Sequence, residues 1–202
     1  MRALSLLGND RGIAATEFAL IAPIFALLMM GSADIAHTLY MQTVLQGTIQ
    51  KAARDSSLES GTATATQTTI DGRIRAEVKK LNTALADSDI AITRRYYKTF
   101  STASAAQAET WTDTNSNSTC DNGEPYTDAN NNNTWDRDGG NAGQGGARDI
   151  TVYNVTVNYA HMFPLWKFIG ASGTQTLKAT TVLANQPYGA QTQYAAATTR
   201  NC

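Results

Sequence analysis

Residues 10–31 read DRGIAATEFALIAPIFALLMMG, and the organisation of the whole chain follows from them. From Ile13 onward, the strongly polar side chains in this stretch are Thr16 and Glu17. A bilayer core takes roughly 20 apolar residues as a helix rising about 1.5 Å per residue, so the run is long enough to span one. Residues 1–12 precede it as a leader, and Arg2 and Arg11 keep that leader cytoplasmic by the positive-inside bias. Glu17 is the informative position. A carboxylate costs about 3 kcal/mol at the centre of such a helix and less toward its end, so it is kept for a partner. A cut after Gly12 would leave Ile13 with a new positive amine. Glu17 of one subunit could then pair with the amine of its neighbour, and both charges would cancel inside a stack of helices.

Gly12, four residues, then Glu17-Phe18 resembles the processing site of type IV prepilins and pseudopilins. The longer run RGIAATEFALIAP, residues 11–23, resembles the TadE-like pilins of the tight-adherence (Flp) pilus system, whose signature reads RG-x-x-x-x-EFAL-x-x-P. The resemblance implies a minor pilin or pseudopilin; separately, the sequence offers no Ser-His-Asp order with convincing spacing, no phosphate loop and no His pair, so no enzyme is expected. Gly12, Ile13, Glu17 and Phe18 would form the prepilin peptidase site, and Ile13 and Glu17 would act in assembly. The implied partners are other pilins and pseudopilins, the peptidase and the inner-membrane assembly platform. The implied location is the bacterial inner membrane, crossed once with the C-terminal domain periplasmic, and then the pilus or cell surface. An ordinary signal peptide is the alternative, with Gly31-Ser32-Ala33 as its cut site, but its apolar region would then be long and would contain Glu17. An uncleaved anchor is another.

The chain has 202 residues, 42% apolar and 16% charged, with a net charge of -1. That leaves one domain of ordinary size beyond the membrane segment. A near-neutral balance offers no basic face for nucleic acid. Cys120 and Cys202 are an even count in an exported chain, which points to one disulfide; two free thiols are the alternative.

The spanning run continues as an amphipathic helix. Ile35, Ala36, Leu39, Tyr40, Val44, Leu45, Ile49, Ala52 and Ala53 recur at three and four, which carries the helix from residue 13 to about 58, with Pro23 as a kink. After a linker over residues 61–69, Ile70, Ile74, Val78, Leu81 and Leu85 mark one face of a second helix capped by Thr68 or Thr69. Residues 89–101, 151–163 and 174–185 alternate as strands, the first with Ile90, Ile92, Tyr96 and Phe100 on one side. The expected fold is α+β: a long N-terminal helix, a second helix and a small antiparallel sheet of about three strands, with an Asn/Asp-rich insertion. The expected domains are a leader over 1–12, a transmembrane and stem helix over 13–58, and a periplasmic domain over 59–202. The apolar loop HMFPLWKFIG, residues 161–170, joins the last two strands. Strand, Pro-containing loop, strand and then Asn185-Gln186-Pro187-Tyr188 resembles the C-terminal third of TadE-like proteins.

The insertion over 111–146 has almost no aliphatic residues and carries a repeat fifteen residues apart. WTDxNxNxTCD from Trp111 matches YTDxNxNxTWD from Tyr126. Oxygen ligands at alternating positions, with an acid further on, describe an EF-hand-like Ca²⁺ loop. In the first copy these are Asp113, Asn115, Asn117, Thr119 through its carbonyl, and Asp121, with Glu124 at the twelfth position. In the second they are Asp128, Asn130, Asn132, Thr134 and Asp136. Gly139 stands at the second twelfth position, so that ligand must come from elsewhere, and Asp138 is the nearest acid. Ser118 replaces the usual Gly at the sixth position, where a left-handed backbone is wanted. The competing readings are a flexible Asn/Gly loop and, for the whole chain, a membrane-anchored, calcium-stabilised adhesin or binding module that is not polymerised.

Overall fold

The computed structural model describes residues 13–58, 61, 63–105, 108–191 and 193–202. It is α+β, as the periodicities require. Helix α1 (Ile13–Ser56) runs without interruption through Pro23, which removes one amide donor and leaves the carbonyl of Ala19 without its helical partner. The helix closes where Ser56 Oγ donates to the Ala52 carbonyl (2.8 Å) and the Ser57 amide donates to Ala53 (3.0 Å). Arg54 in the last turn complements the helix dipole.

The chain divides into two compact units. The first comprises Met1–Met41 and Asn158–Gln175. Its part of α1 exposes Phe18, Leu20, Ile21, Ile24, Phe25 and Leu28, and α1 is long and apolar enough to cross a membrane. A short helix, α4 (Trp166–Ile169), lies in the 161–170 loop and ends on Gly170 in the left-handed conformation (φ 66°).

The second unit comprises Gln42–Val157 and Thr176–Cys202. Strands β1 (Ile90–Tyr97), β3 (Asn141–Ala142), β4 (Ile150–Ala160) and β5 (Thr174–Ala184) form a sheet in the order β3-β1-β4-β5. Strands β1 and β4 pair antiparallel, with Ile90 opposite Val157 and Arg94 opposite Tyr153. Period-two alternation buries Tyr153, Val155 and Val157 on one face. Helix α2 (Thr64–Leu81) lies over that face, where Asp71 accepts from Tyr153 Oη (2.8 Å) and pairs with Arg94 of β1. From α1, Gln42 and Gln46 donate to the Lys178 and Thr180 carbonyls of β5 (3.1 and 3.5 Å), while Leu45, Ile49, Ala52 and Ala53 are buried. The opposite face of the sheet carries a smaller core of Tyr97, Ala103 and Ile150 with Val152.

Several boundaries differ from the sequence reading. Helix α2 starts at Thr64, inside the expected linker, and its N-cap Ala63 makes no side-chain cap. Thr68 and Thr69 are interior residues whose hydroxyls donate back to the Thr64 and Ala65 carbonyls (both 2.9 Å), a bond open to a hydroxyl one turn on. Ile70, Ile74 and Val78 are buried as the spacing requires, and Leu85 is buried beyond the helix end. Strand β1 stops at Tyr97, and Phe100 opens a short helix, α3 (Phe100–Ala105), with its ring exposed. Thr99 turns the chain there, because its Oγ1 accepts the Thr102 amide (3.4 Å) in the manner of a helix cap. Alternation did not reveal a second ribbon, in which β2 (Pro125–Asp128) pairs antiparallel with β6 (Thr198–Asn201). On α1, Ile35, Leu39 and Tyr40 were expected on the packed face but are exposed.

Candidate functional site

Two features carry chemistry: the N-terminal end of α1 and the repeated insertion. Gly12 lies outside the described residues, and Ile13 opens α1. Glu17 and Phe18 follow on its first turns, both exposed. Among the described residues Glu17 has neither a hydrogen-bond nor an ion-pair partner. The single acid of this stretch therefore stands on an outward-facing apolar helix.

The insertion is built in the opposite way, because its polar groups satisfy one another. In the first loop, Asp113 accepts the amides of Asn117 through Oδ1 (3.2 Å) and of Ser118 through Oδ2 (2.9 Å). Asn115 Oδ1 accepts the Asn117 amide (3.0 Å), and Asn117 Oδ1 accepts that of Thr119 (2.8 Å). Fifteen residues on, Asp128 accepts the amides of Asn132 and Asn133 (3.1 and 3.0 Å). Asn130 and Asn132 repeat the next two bonds, to Asn132 and Thr134 (3.1 and 2.8 Å). The backbone repeats as well. Ser116 and Ser118 have φ of 62° and 60°, and their counterparts Asn131 and Asn133 have 57° and 65°. Ser118 thus takes the left-handed conformation usually left to Gly, held by its amide bond to Asp113. In each loop two amide side chains converge on one acid. Asn115 and Asn117 reach Asp121 (2.9 and 3.0 Å), and Asn130 and Asn132 reach Asp136 (3.1 and 2.7 Å).

The closing acid of each loop comes from a glutamate two residues before an aromatic one. Glu124, 2% exposed, accepts the Thr114 amide (2.7 Å) and the Asp121 amide (3.3 Å) of the first loop. Glu109, 4% exposed, does the same for the second loop, accepting the Ala129 amide (2.8 Å) and the Asp136 amide (3.0 Å). Each glutamate stands four residues before the first aspartate of one loop and closes the other. Asp138, the nearest acid along the chain, turns elsewhere. It accepts from Tyr97 Oη (2.6 and 2.8 Å) and pairs with Arg95 (3.5 Å). Burial, and then this bond to Asp138, raise the Tyr97 phenol well above its usual range. Glu109 was missed because the repeat was started at Trp111; extending it two residues backward aligns Glu109 with Glu124.

The two loops lock together. The Thr127 amide donates to Thr110 (2.8 Å) and the Thr112 amide to Pro125 (3.0 Å), and Trp111 and Trp135 meet edge to face at 5.9 Å. Cys120 and Cys202 are disulfide-bonded, with Cα atoms 5.6 Å apart and a sequence separation of 82. Beside the bridge, Gly123 donates to the Cys202 carbonyl (3.1 Å) and Cys202 donates to Glu124 (3.0 Å). Asp128 is fully buried, and Arg200 Nε reaches it at 2.6 Å. Burial alone would raise that carboxyl, but the Asn133 amide, Arg200 and the Asn132 amide outweigh it and hold it below the usual carboxylate range. Among the described residues, no three His, Cys, Asp or Glu side chains gather as a metal cluster.

The family model described as TadE-like protein matches residues 12–54, which is α1 almost to its end. No curated protein and no solved structure matches the chain.

Proposed function

We propose, from the premise of a TadE-like stem, that this chain is a minor pilin or pseudopilin of a Tad/Flp-type pilus. A prepilin peptidase cuts after Gly12, and α1 anchors the product in the inner membrane with the remainder periplasmic. The assembly platform then moves it into a fibre, where Glu17 of one copy meets the Ile13 amine of the next. The observation that carries this reading is Glu17, which has no partner among the described residues and lies in a run that exposes Phe18, Leu20, Ile21 and Ile24. An acid left alone in lipid costs about 3 kcal/mol near a helix centre, so an amine supplied by a neighbour favours association. The intact mass of the native protein is expected to correspond to a chain beginning at Ile13. Glu17→Ala is expected to be cleaved normally and to reduce pilus number sharply. Normal pili in that variant, or a mature protein that keeps its first twelve residues, would overturn the reading. The second of these results would leave a membrane-anchored binding module that does not polymerise.

Ca²⁺ stiffening of the insertion belongs to the same proposal. Asp113, Asn115, Asn117, Thr119, Asp121 and Glu124 would hold one ion. Asp128, Asn130, Asn132, Thr134 and Asp136 would hold a second, with Glu109 in the place first sought from Asp138. The supporting observation is that both loops share one hydrogen-bond pattern and one backbone signature. The asparagine amides that now donate to Asp121 and Asp136 must turn by half a rotation to offer oxygen. Few carboxylates per loop point to a weak affinity, on the order of 10⁻⁴–10⁻³ M. Millimolar Ca²⁺ is expected to raise the melting temperature where Mg²⁺ does not. An unchanged melting curve would remove the metal from the account.

A further inference from the structure

The 161–170 loop places apolar side chains in the open at a defined level of α1. Met162 is 53% exposed and Phe168 77%, while Ile35 and Leu39 of α1 are 64% and 63% exposed. The level can be read from contacts within the first unit. Leu165 Cδ1 lies 3.7 Å from where a Cβ on Gly31 would stand. A helix entering hydrocarbon at Ile13 leaves it after about 20 residues, close to Gly31. The loop therefore meets α1 where the acyl chains end and the headgroups begin.

Polar contacts fix it there. Asp34, one turn beyond Gly31, binds His161 Nδ1 through Oδ2 (2.6 Å) and accepts the Met162 amide through Oδ1 (3.0 Å). Tyr159 Oη meets Thr38 Oγ1 at 2.8 Å. The His161 amide donates to the Gly173 carbonyl (3.3 Å), closing the neck of the loop. Trp166 packs over Gly173, and Lys167 Nζ lies 5.4 Å from the Trp166 ring. Tryptophan and lysine side by side, flanked by phenylalanine and methionine, suit a boundary that is oily on one side and wet on the other.

We infer that this loop is a lipid-contacting foot: Met162, Trp166 and Phe168 enter the outer interfacial layer of the bilayer that α1 crosses, and Lys167 reaches the phosphates. Met162 and Phe168 are exposed on a loop held at the level where the spanning helix leaves hydrocarbon, so the solvent that covers the helix also reaches them. A soluble partner would have to compete with lipid already in place. Such a foot fixes the depth at which α1 leaves the membrane before any extraction into a fibre. The inference rests on α1 being in lipid, which is part of the function proposed above.

The test uses the full chain in vesicles of phosphatidylethanolamine and phosphatidylglycerol, with a nitroxide on Phe168→Cys. The native cysteines are already bonded to each other, so the label goes to the new thiol. Phe25→Cys and Lys80→Cys serve as references for hydrocarbon and water. The Phe168 label is expected to favour collision with oxygen over a water-soluble nickel chelate by about threefold more than the Lys80 label does, and less than the Phe25 label does. A Phe168 label as open to nickel as Lys80, beside a Phe25 label in lipid, overturns the foot and leaves the spanning helix standing. Spin–spin broadening between Phe168 labels without oxygen preference overturns it in favour of a contact with a second copy. A Phe25 label in water overturns the span and the foot together.

Discussion

The first half of α1 and the 109–136 repeat expose surface for opposite reasons. The helix satisfies its backbone internally and turns its large apolar side chains outward, with one acid among them. The repeat has almost no apolar material and turns its polar groups inward upon each other, ending in two buried glutamates. The helix is incomplete without lipid or neighbouring helices, because water is a poor solvent for Phe25 and Leu28. The repeat is complete as a fold without them, because Glu124 closes the first loop from its own end and Glu109, just ahead of the repeat, reaches across to close the second. A chain can thus carry one region whose partners lie outside it and another whose partners lie within.

That contrast can be broken most severely at the disulfide. Cys120→Ser is expected to cost about 4 kcal/mol, since the bridge closes a loop of 82 residues, and urea unfolding followed by tryptophan emission measures it. A loss much smaller than this would mean that the repeat and the β2–β6 ribbon hold Cys202 in place without the bridge. Next comes the exchange of glutamates. Glu109→Gln should cost about 2 kcal/mol, because one of the two amides it binds is left unpaired in a buried site. Glu124→Gln should cost a similar amount through the other loop. Unequal losses would show that the two closures are not equivalent. The smallest effect belongs to the helix. Phe25→Ala is expected to change unfolding of the detergent-solubilised protein by less than about 0.5 kcal/mol, since its ring is 59% exposed and packs on little of its own chain. A large loss there would mean that the first half of α1 is held by the rest of the molecule.

Local pattern revealed those parts of the fold whose partners are near in sequence or whose period is long. The α1 run, the alternation of Tyr153, Val155 and Val157, and the spacing of Ile70, Ile74 and Val78 each repeat often enough to fix an element and its buried face. Phe100 shows where this fails. Alternation carries the strand through Phe100, but the strand ends at Tyr97 and the chain turns at Thr99, whose hydroxyl accepts the Thr102 amide, into a short helix. The ribbon of Pro125–Asp128 with Thr198–Asn201 was hidden because both strands are short and mostly polar, and their pairing joins distant parts of the chain. Glu109 was hidden for a related reason. It serves a loop that begins nineteen residues later, beyond the reach of any spacing rule that runs within one loop.

The sequence by itself determined the apolar helix, its lone acid and the fifteen-residue repeat, and it left Cys120 and Cys202 no partner within the chain but each other. These depend on composition, period and count, which need no third dimension. Only the tertiary structure decided that Glu109 closes the second loop, that Asp138 belongs to Tyr97, and that the 161–170 loop is fixed to α1 beside Gly31. In each of these cases a short polar side chain chooses among several partners within reach, and distance in folded space, which local spacing does not encode, makes the choice.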